Sequence, residues 1–124
     1  GLIVGQNAIY ISDQAPAENI TVSVVHFEKP GFVVIHEDAA GAPGQILGVS
    51  GLLPNGETKN APSIILSRAT KDGETFYAML HLDDGDGQFD ATKDKPAQDK
   101  IGGVPVMMIV EVSADAEEPG PVSL

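Results

Sequence analysis

The amino-acid sequence predicts an all-β fold, a single immunoglobulin-like β-sandwich of about seven to eight mostly antiparallel strands. Short segments rich in Val, Ile, Leu and Phe recur along the chain, separated by turn residues about every 8 to 15 positions. Several segments alternate apolar and polar residues with the period of two of a half-buried strand, and apolar residues nowhere keep helical spacing for three turns. The 124 residues, 42% of them hydrophobic, suffice for one sandwich with an aliphatic core.

Three parts of the chain are expected to differ in role. Residues 1–12 form an apolar N-terminal strand segment, residues 13–112 form the sandwich domain, and residues 113–124 form an acidic, proline-containing tail. The N-terminal segment holds two β-prone stretches, residues 2–4 and 8–12. Such a strand either joins the sheet of its own chain or acts as a donor strand for the open edge of a neighbouring copy. Head-to-tail donation of this kind builds a filament.

Within the domain, six segments are predicted to be strands because β-branched residues are bounded there by turn residues. They are residues 20–27, 32–36, 45–50, 63–66, 75–82 and 104–112. Turns are predicted at residues 13–19, 29–31, 54–56 and 71–73, a loop at 37–44 and a long connection at 90–103. Buried faces are predicted for Ile20, Val22 and Val24 and for Val104, Val106, Met108, Val110 and Val112, with Met107 and Ile109 opposite the latter.

Composition excludes several classes of function. The net charge of −11, from 18 acidic and 7 basic residues, disfavours nucleic acid and anionic membranes as partners and favours cations. The absence of cysteine excludes disulfides, zinc–thiolate sites and iron–sulfur clusters. No apolar run approaches the 18 or so residues of a membrane span. Because the sequence begins with Gly1, we expect a secreted chain from which a signal peptide has been removed.

The highest density of chemically useful side chains follows residue 82, where an apolar strand runs into a loop rich in Asp and Gly. Calcium takes six to eight oxygen ligands, and glycines allow a loop to curl so that carboxylates converge. The predicted ligands are Asp83, Asp84, Asp86, Gln88 and Asp90, with Asp94 and Asp99 available to complete the shell. An EF-hand is excluded because its first and last ligand positions hold Leu82 and Lys93. The alternative is a solvated acidic turn.

Other groups of residues give weaker indications of a metal or catalytic site. The three histidines, His26, His36 and His81, lie at or near the ends of predicted strands and could meet around a transition metal, although isolated strand-end histidines are more often structural. The three methionines are expected to be core residues rather than copper ligands. Residues 48–51 imitate a nucleophile elbow but lack its final glycine and a following helix. The sequence therefore predicts no enzyme and no small-molecule substrate.

Four segments together resemble a known domain family. They are Gly31-Phe32-Val33-Val34-Ile35-His36, Ile46-Leu47-Gly48-Val49-Ser50, Ala78-Met79-Leu80-His81 with the acidic loop, and residues 104–112. Their order and spacing resemble an uncharacterised immunoglobulin-like family of secreted and cell-surface proteins from archaea, notably halophiles, and from environmental bacteria. The resemblance covers residues 20–112. It implies a sandwich fold and an extracellular or cell-surface location, and the family has no established enzymatic activity.

These features predict a non-enzymatic extracellular structural protein. We expect a self-assembling subunit of a cell-surface filament or layer, a homo-oligomer joined by strand pairing, with a calcium-stabilised loop. The alternative is a calcium-dependent adhesion or ligand-binding module of a larger surface protein, in which residues 113–124 are a linker.

Overall fold

A computed structural model describes residues 7–98 and 103–116 of the chain. In this part of the chain every regular element is a strand, which confirms the all-β prediction, although with nine strands rather than seven or eight. The strands are β1 (Ala8–Tyr10), β2 (Asn19–Ile20), β3 (Val24–Phe27), β4 (Gly31–Ala39), β5 (Ala42–Val49), β6 (Gly56–Lys59), β7 (Ile64–Ile65), β8 (Thr75–Leu82) and β9 (Met107–Glu111).

The strands form two main sheets and a short two-stranded ladder, all antiparallel. One sheet has the order β1-β3-β6, the other has the order β5-β4-β8-β9, and β2 pairs with β7. In the lettering of immunoglobulin sandwiches, β1, β3 and β6 take the places of strands A, B and E, and β5, β4, β8 and β9 those of C′, C, F and G.

An aliphatic core with two phenylalanines fills the space between the sheets. Its fully buried members include Val25, Phe27, Val33, Ile35, Phe76, Leu80 and Val110. The predicted inner face of the last strand is correct, because Val110 and Val112 are buried and Val106 and Met108 pack against the core. Val104 is the exception, being 53% exposed before β9 begins.

The predicted single strand at residues 20–27 is wrong in one respect. It is divided into β2 and β3, which pair with β7 and β6 respectively. The pairing slips by one residue between the two pairs, since Ile20 faces Ile64 but Val24 faces Lys59, and Asn60 in the partner segment has a positive φ of 53°. Along residues 20–27 the buried side also changes, so that Val22 and Val25 are buried while Val24 is only half-buried.

The predicted loop at residues 37–44 is largely a β-hairpin. Ala39 pairs with Ala42, and the two residues between them both have positive φ, 54° at Ala40 and 90° at Gly41. Two such residues give the primed turn whose twist matches a two-residue hairpin. The β4–β5 ladder has register shifts on both sides of His36, between residues 35 and 36 and between residues 36 and 38.

The long connection before β9 is ordered where it is described. Residues 95–98 lie between the end of β8 and the start of β9 and donate and accept backbone hydrogen bonds on both sides. Leu82 N–H donates to the Lys95 carbonyl at 3.0 Å, Ala97 N–H to the Leu80 carbonyl at 2.8 Å, and Val106 N–H to the Ala97 carbonyl at 2.8 Å.

The N-terminal strand segment pairs within the chain where it is described. Ala8–Tyr10 pairs with residues 24–26 of β3, and the chain then crosses to the other sheet, where Gln14 forms a parallel bridge with Val112. In this structure β1 therefore takes the internal alternative. Residues 2–4 lie outside the described residues, as does the tail beyond residue 116.

The four-stranded sheet has a second apolar face, turned away from the core. Cross-strand pairs between β4 and β8 define three successive rows on it. The rows are Phe32 with His81, Val34 with Met79, and His36 with Tyr77. Phe32, Val34, Tyr77 and Met79 are at most 7% exposed although they do not belong to the core cluster, so this face is also largely buried.

Candidate metal centre in the acidic loop

The acidic loop, defined here as residues 83–94, begins and ends at fixed points. Its first residue, Asp83, is held by a backbone hydrogen bond to the Pro30 carbonyl at 2.9 Å. Its last residue, Asp94, directly precedes the segment that pairs with the end of β8. The loop therefore leaves the sheet at the end of a buried strand and returns to it, and both of its ends are held by the sheet.

Asp94 organises the loop, and its side chain is completely buried. One carboxylate oxygen accepts the backbone N–H of Asp84 at 2.9 Å, and the other accepts that of Asp90 at 2.6 Å. The Asp94 carbonyl accepts a hydrogen bond from His81 Nδ1 at 2.7 Å. A single residue thus holds both halves of the loop through its carboxylate and contacts β8 through its carbonyl.

The other carboxylates accept N–H groups of the loop itself. Asp83 accepts from Gly87 at 3.1 and 3.2 Å through its two oxygens, Asp84 accepts from Asp86 at 3.3 Å, and Asp86 accepts from Gln88 at 2.9 Å. These local bonds are typical of Asp in tight turns. Each carboxylate oxygen has two lone pairs, so the bonds leave acceptor capacity for a cation.

Four carboxylates of the loop converge. One oxygen from each of Asp83, Asp84, Asp86 and Asp94 lies within 4.8 Å of the other three. Oxygens that share one Ca²⁺ lie at most about 5 Å apart, because Ca–O bonds are about 2.3–2.6 Å long. The group therefore has the dimensions for one hard cation, with Asp94 buried and Asp84 and Asp86 exposed.

The predicted ligands divide into two sets. Asp83, Asp84 and Asp86 come together, and Asp94, predicted only to complete the shell, belongs to the same group. Asp90 lies outside that group, since its carboxylate accepts the N–H and the hydroxyl of Thr92 at 2.8 and 2.6 Å. Gln88 has an exposed side chain and contributes its N–H to Asp86, and Asp99 lies outside the described residues.

Titration reflects this crowding of negative charge. Hydrogen-bond contact with the Asp86 carboxyl raises the pKa of Asp84, so that Asp84 keeps its proton to a higher pH than an isolated aspartate. The backbone N–H of Gln88, followed by the contact with Asp84, lowers the pKa of Asp86. The Thr92 hydroxyl lowers the pKa of Asp90. Two adjacent carboxyls with opposite shifts are what like charges in one small site produce, and a bound cation relieves that repulsion.

A phenylalanine attaches the loop to the outer face of the sheet. The ring of Phe89 makes edge-to-face contacts with Phe32, at 5.5 Å between centroids, and with His81, at 5.6 Å. Nothing in the sequence marks Phe89 as important, because a single aromatic residue among aspartates belongs to no known motif.

Residues 48–51, which imitate a nucleophile elbow in sequence, have a structural role. The Ser50 hydroxyl accepts the Val33 N–H at 2.9 Å and donates to the Gly51 carbonyl at 2.9 Å. The first bond connects the residue that follows β5 to β4, the second is local, and the hydroxyl has no histidine among these partners.

Comparison with known proteins supplies a family. A family model described as a domain of unknown function, DUF7282, matches residues 7–113. The chain belongs to this family. The matched region begins just before β1 and ends just after β9, so β1 lies inside the family's domain rather than before it. No curated protein and no solved structure matches the chain significantly. Residues 7–98 and 103–116 contain no helix long and apolar enough to cross a membrane.

Proposed function

We propose that this DUF7282 domain is a non-enzymatic structural module of an extracellular surface, whose acidic loop binds calcium. The observation that carries the proposal is the convergence of four carboxylates, three from the start of the loop and one from its end. An ion bound there connects the end of β8 to the segment that precedes β9. Its role is to stabilise one end of the sandwich.

The burial of the ligands indicates the affinity range. Asp94 is buried, but Asp84 and Asp86 are exposed, so solvent competes for part of the coordination sphere. Exposed sites of this kind in extracellular modules bind calcium with dissociation constants of about 10⁻⁴ to 10⁻³ M. Such a site is filled at extracellular calcium concentrations and empty at intracellular ones, which agrees with the proposed location.

The test is thermal unfolding with and without calcium. At 10 mM Ca²⁺ a site of that affinity stabilises the folded state by about 1.4–2.7 kcal/mol. For a domain of this size we expect a rise in melting temperature of roughly 5–12 °C. Magnesium should give a smaller rise, because it demands a tighter octahedral site and releases water reluctantly.

The matched variants separate ion binding from general charge relief. Asp84→Asn/Asp86→Asn removes two carboxylates of the group, and Glu18→Gln/Asp115→Asn removes two exposed carboxylates elsewhere. The first variant should lose the calcium-dependent rise and the second should keep it. A wild-type melting temperature that calcium leaves unchanged, or an equal rise in both variants, would refute the calcium site.

Self-assembly remains the second candidate, supported by the outer side of β9. Met107 is 41% exposed and Ile109 is 56% exposed on that strand, and apolar side chains of this size are suited to contact with a second copy. Light scattering of the native particle, with and without EDTA, gives its mass. A polymer that Ile109→Lys converts to a monomer would support assembly through this face, and a wild-type monomer at millimolar calcium would refute it.

A further inference from the structure

Two histidines from different strands meet on the outer face of the four-stranded sheet. His36 lies on β4 and His81 on β8, on either side of the row formed by Val34 and Met79. Their rings are nearly parallel, with an interplanar angle of 21° and 6.1 Å between centroids. Two imidazoles that share one metal ion at about 2.0 Å per N–metal bond have centroids roughly 5–6 Å apart. The spacing therefore suits a shared ion.

The hydrogen bonds of the two rings fix which nitrogen is available. His36 Nδ1 bonds to the Gly44 carbonyl at 2.9 Å, and His81 Nδ1 bonds to the Asp94 carbonyl at 2.7 Å. A carbonyl oxygen can only accept, so Nδ1 carries the proton in both rings. In the neutral rings Nε2 is then an unprotonated nitrogen with its lone pair available. This is the tautomer of a histidine that binds a metal through Nε2 and is oriented through Nδ1.

Both Nε2 atoms are buried, and neither has a hydrogen-bond partner among the described residues. His81 as a whole is only 6% exposed. A buried acceptor left without a donor costs about 1–3 kcal/mol, and folded proteins rarely leave two such atoms in adjacent rings. A cation bound by both Nε2 atoms would satisfy both lone pairs at once.

The surroundings hold the pair in place. The β4–β5 register shifts on both sides of His36, and such irregularities turn a side chain away from its regular direction. His81 is fixed by the Asp94 carbonyl and by the edge-to-face contact with Phe89. Burial lowers the pKa of His81, which favours its neutral, metal-binding form at neutral pH.

The chemistry of the site selects the ion. The only described group of three or more His and acidic ligands is in the acidic loop, so no carboxylate joins the two histidines in such a group. Met79 lies on the row between them, and its cross-strand neighbour on β9 is Met107. Neutral imidazole and thioether ligands on an apolar face suit a soft ion of low charge, because they cannot neutralise a divalent one.

We propose that His36 and His81 bind one Cu(I) ion through their Nε2 atoms, with the Met79 thioether as a third ligand. The site is separate from the proposed calcium group, although Asp94 and Phe89 contact His81 from the loop. It does not depend on the calcium proposal, since the acidic loop supplies none of its ligand atoms.

The first experiment uses the unaltered chain and Ag(I), a redox-inactive substitute for Cu(I). Long-range ¹H–¹⁵N spectra report the ring nitrogens of all three histidines. One equivalent of Ag(I), added to protein that has been stripped of calcium with EDTA and then freed of EDTA, should shift Nε2 of His36 and His81 and leave His26 of β3 unchanged. Shifts of all three histidines to the same extent, or of none, would overturn the proposal.

The second experiment measures Cu(I) affinity under anaerobic conditions by competition with a coloured chelator. His36→Gln and His81→Gln should each weaken binding by at least about 10- to 100-fold. Met79→Leu should weaken it by about tenfold, whereas Met108→Leu should not, because the Met108 sulfur faces the core and accepts the Ile11 N–H at 3.3 Å. Circular dichroism confirms that each variant is folded. Binding that survives His36→Gln/His81→Gln, or that Met108→Leu weakens as much as Met79→Leu does, would overturn the assignment.

Discussion

Replacement of Asp94 tests the organisation of the acidic loop independently of any ion. The buried carboxylate accepts two backbone N–H groups, those of Asp84 and Asp90. Hydrogen bonds to a charged group contribute about 1.5–3 kcal/mol each. Asp94→Ala removes both acceptors and should lower the free energy of unfolding by about 3–6 kcal/mol, a large part of the 5–15 kcal/mol typical of a domain.

Asp94→Asn has nearly the same shape but one oxygen fewer. It can accept one of the two N–H groups through a neutral amide oxygen, a bond of about 0.5–1.5 kcal/mol, while its amide nitrogen faces the other, so the expected loss is about 2–5 kcal/mol. Both variants remove the same negative charge and the same repulsion from the neighbouring carboxylates. The difference between them therefore reports mainly the one hydrogen bond that the neutral amide oxygen of Asn keeps, and should be about 0.5–1.5 kcal/mol.

Urea unfolding in EDTA, followed by circular dichroism, measures these differences. With a slope of about 1–3 kcal/mol per molar urea, the midpoints of the two variants should differ by about 0.5 M. Asp115→Ala, in the exposed part of the tail, is the control and should leave the midpoint unchanged. A wild-type midpoint in either variant would show that Asp94 does not organise the loop.

Two further predictions concern the scaffold. A Cβ at Gly48 would lie 2.5 Å from the Ile65 carbonyl oxygen. Gly48→Ala should therefore lower the free energy of unfolding in urea by about 1–3 kcal/mol, whereas Gly51→Ala, with open space around it, should be nearly neutral. Equal losses for the two variants would refute the close contact. Hydrogen bonds from Arg68 lower the pKa of Glu74 in the folded protein. The stability that this pair contributes is therefore complete above the ordinary glutamate pKa of about 4.3, and it is lost as pH falls through the lower pKa of the folded state. The gap in unfolding free energy between wild type and Arg68→Gln, about 1 kcal/mol at pH 7 because solvent screens the partly exposed pair, should narrow as pH falls below about 4.3, and a gap that widens there would contradict the assignment.

The parts of the fold that were predictable are those in which local pattern and burial agree. Thr75–Leu82 has the predicted limits because a run of apolar residues is buried on both faces of a central strand. β6 was not predicted, because Gly-Glu-Thr-Lys has no apolar pattern and is a strand only through its pairing with β3 at the sheet edge. The break between β2 and β3 accompanies a one-residue slip in their pairing with β7 and β6, so the sequence of residues 20–27 alone does not contain it.

The candidate sites were predictable to different extents. The spacing of aspartates identified Asp83, Asp84 and Asp86, since they are close in sequence and a loop has to bring them together. The central role of Asp94 follows from the pairing of residues 95–98 with the end of β8, which is a tertiary event. The pairing of His36 with His81 depends on the register between β4 and β8, and no local signal in the sequence encodes a cross-strand register.

The parallel bridge between Gln14 and Val112 has a mechanical consequence. Ser113 N–H donates to the Gln14 carbonyl at 2.9 Å, and Glu111 N–H donates to the Asp13 carboxylate at 3.1 Å. The two segments run in the same direction, so a pull on the two ends of the domain slides one along the other and loads these bonds together rather than in succession. A module of this geometry resists tension as a shear joint. The resistance would come from the junction of the first and last segments, far along the chain from the acidic loop.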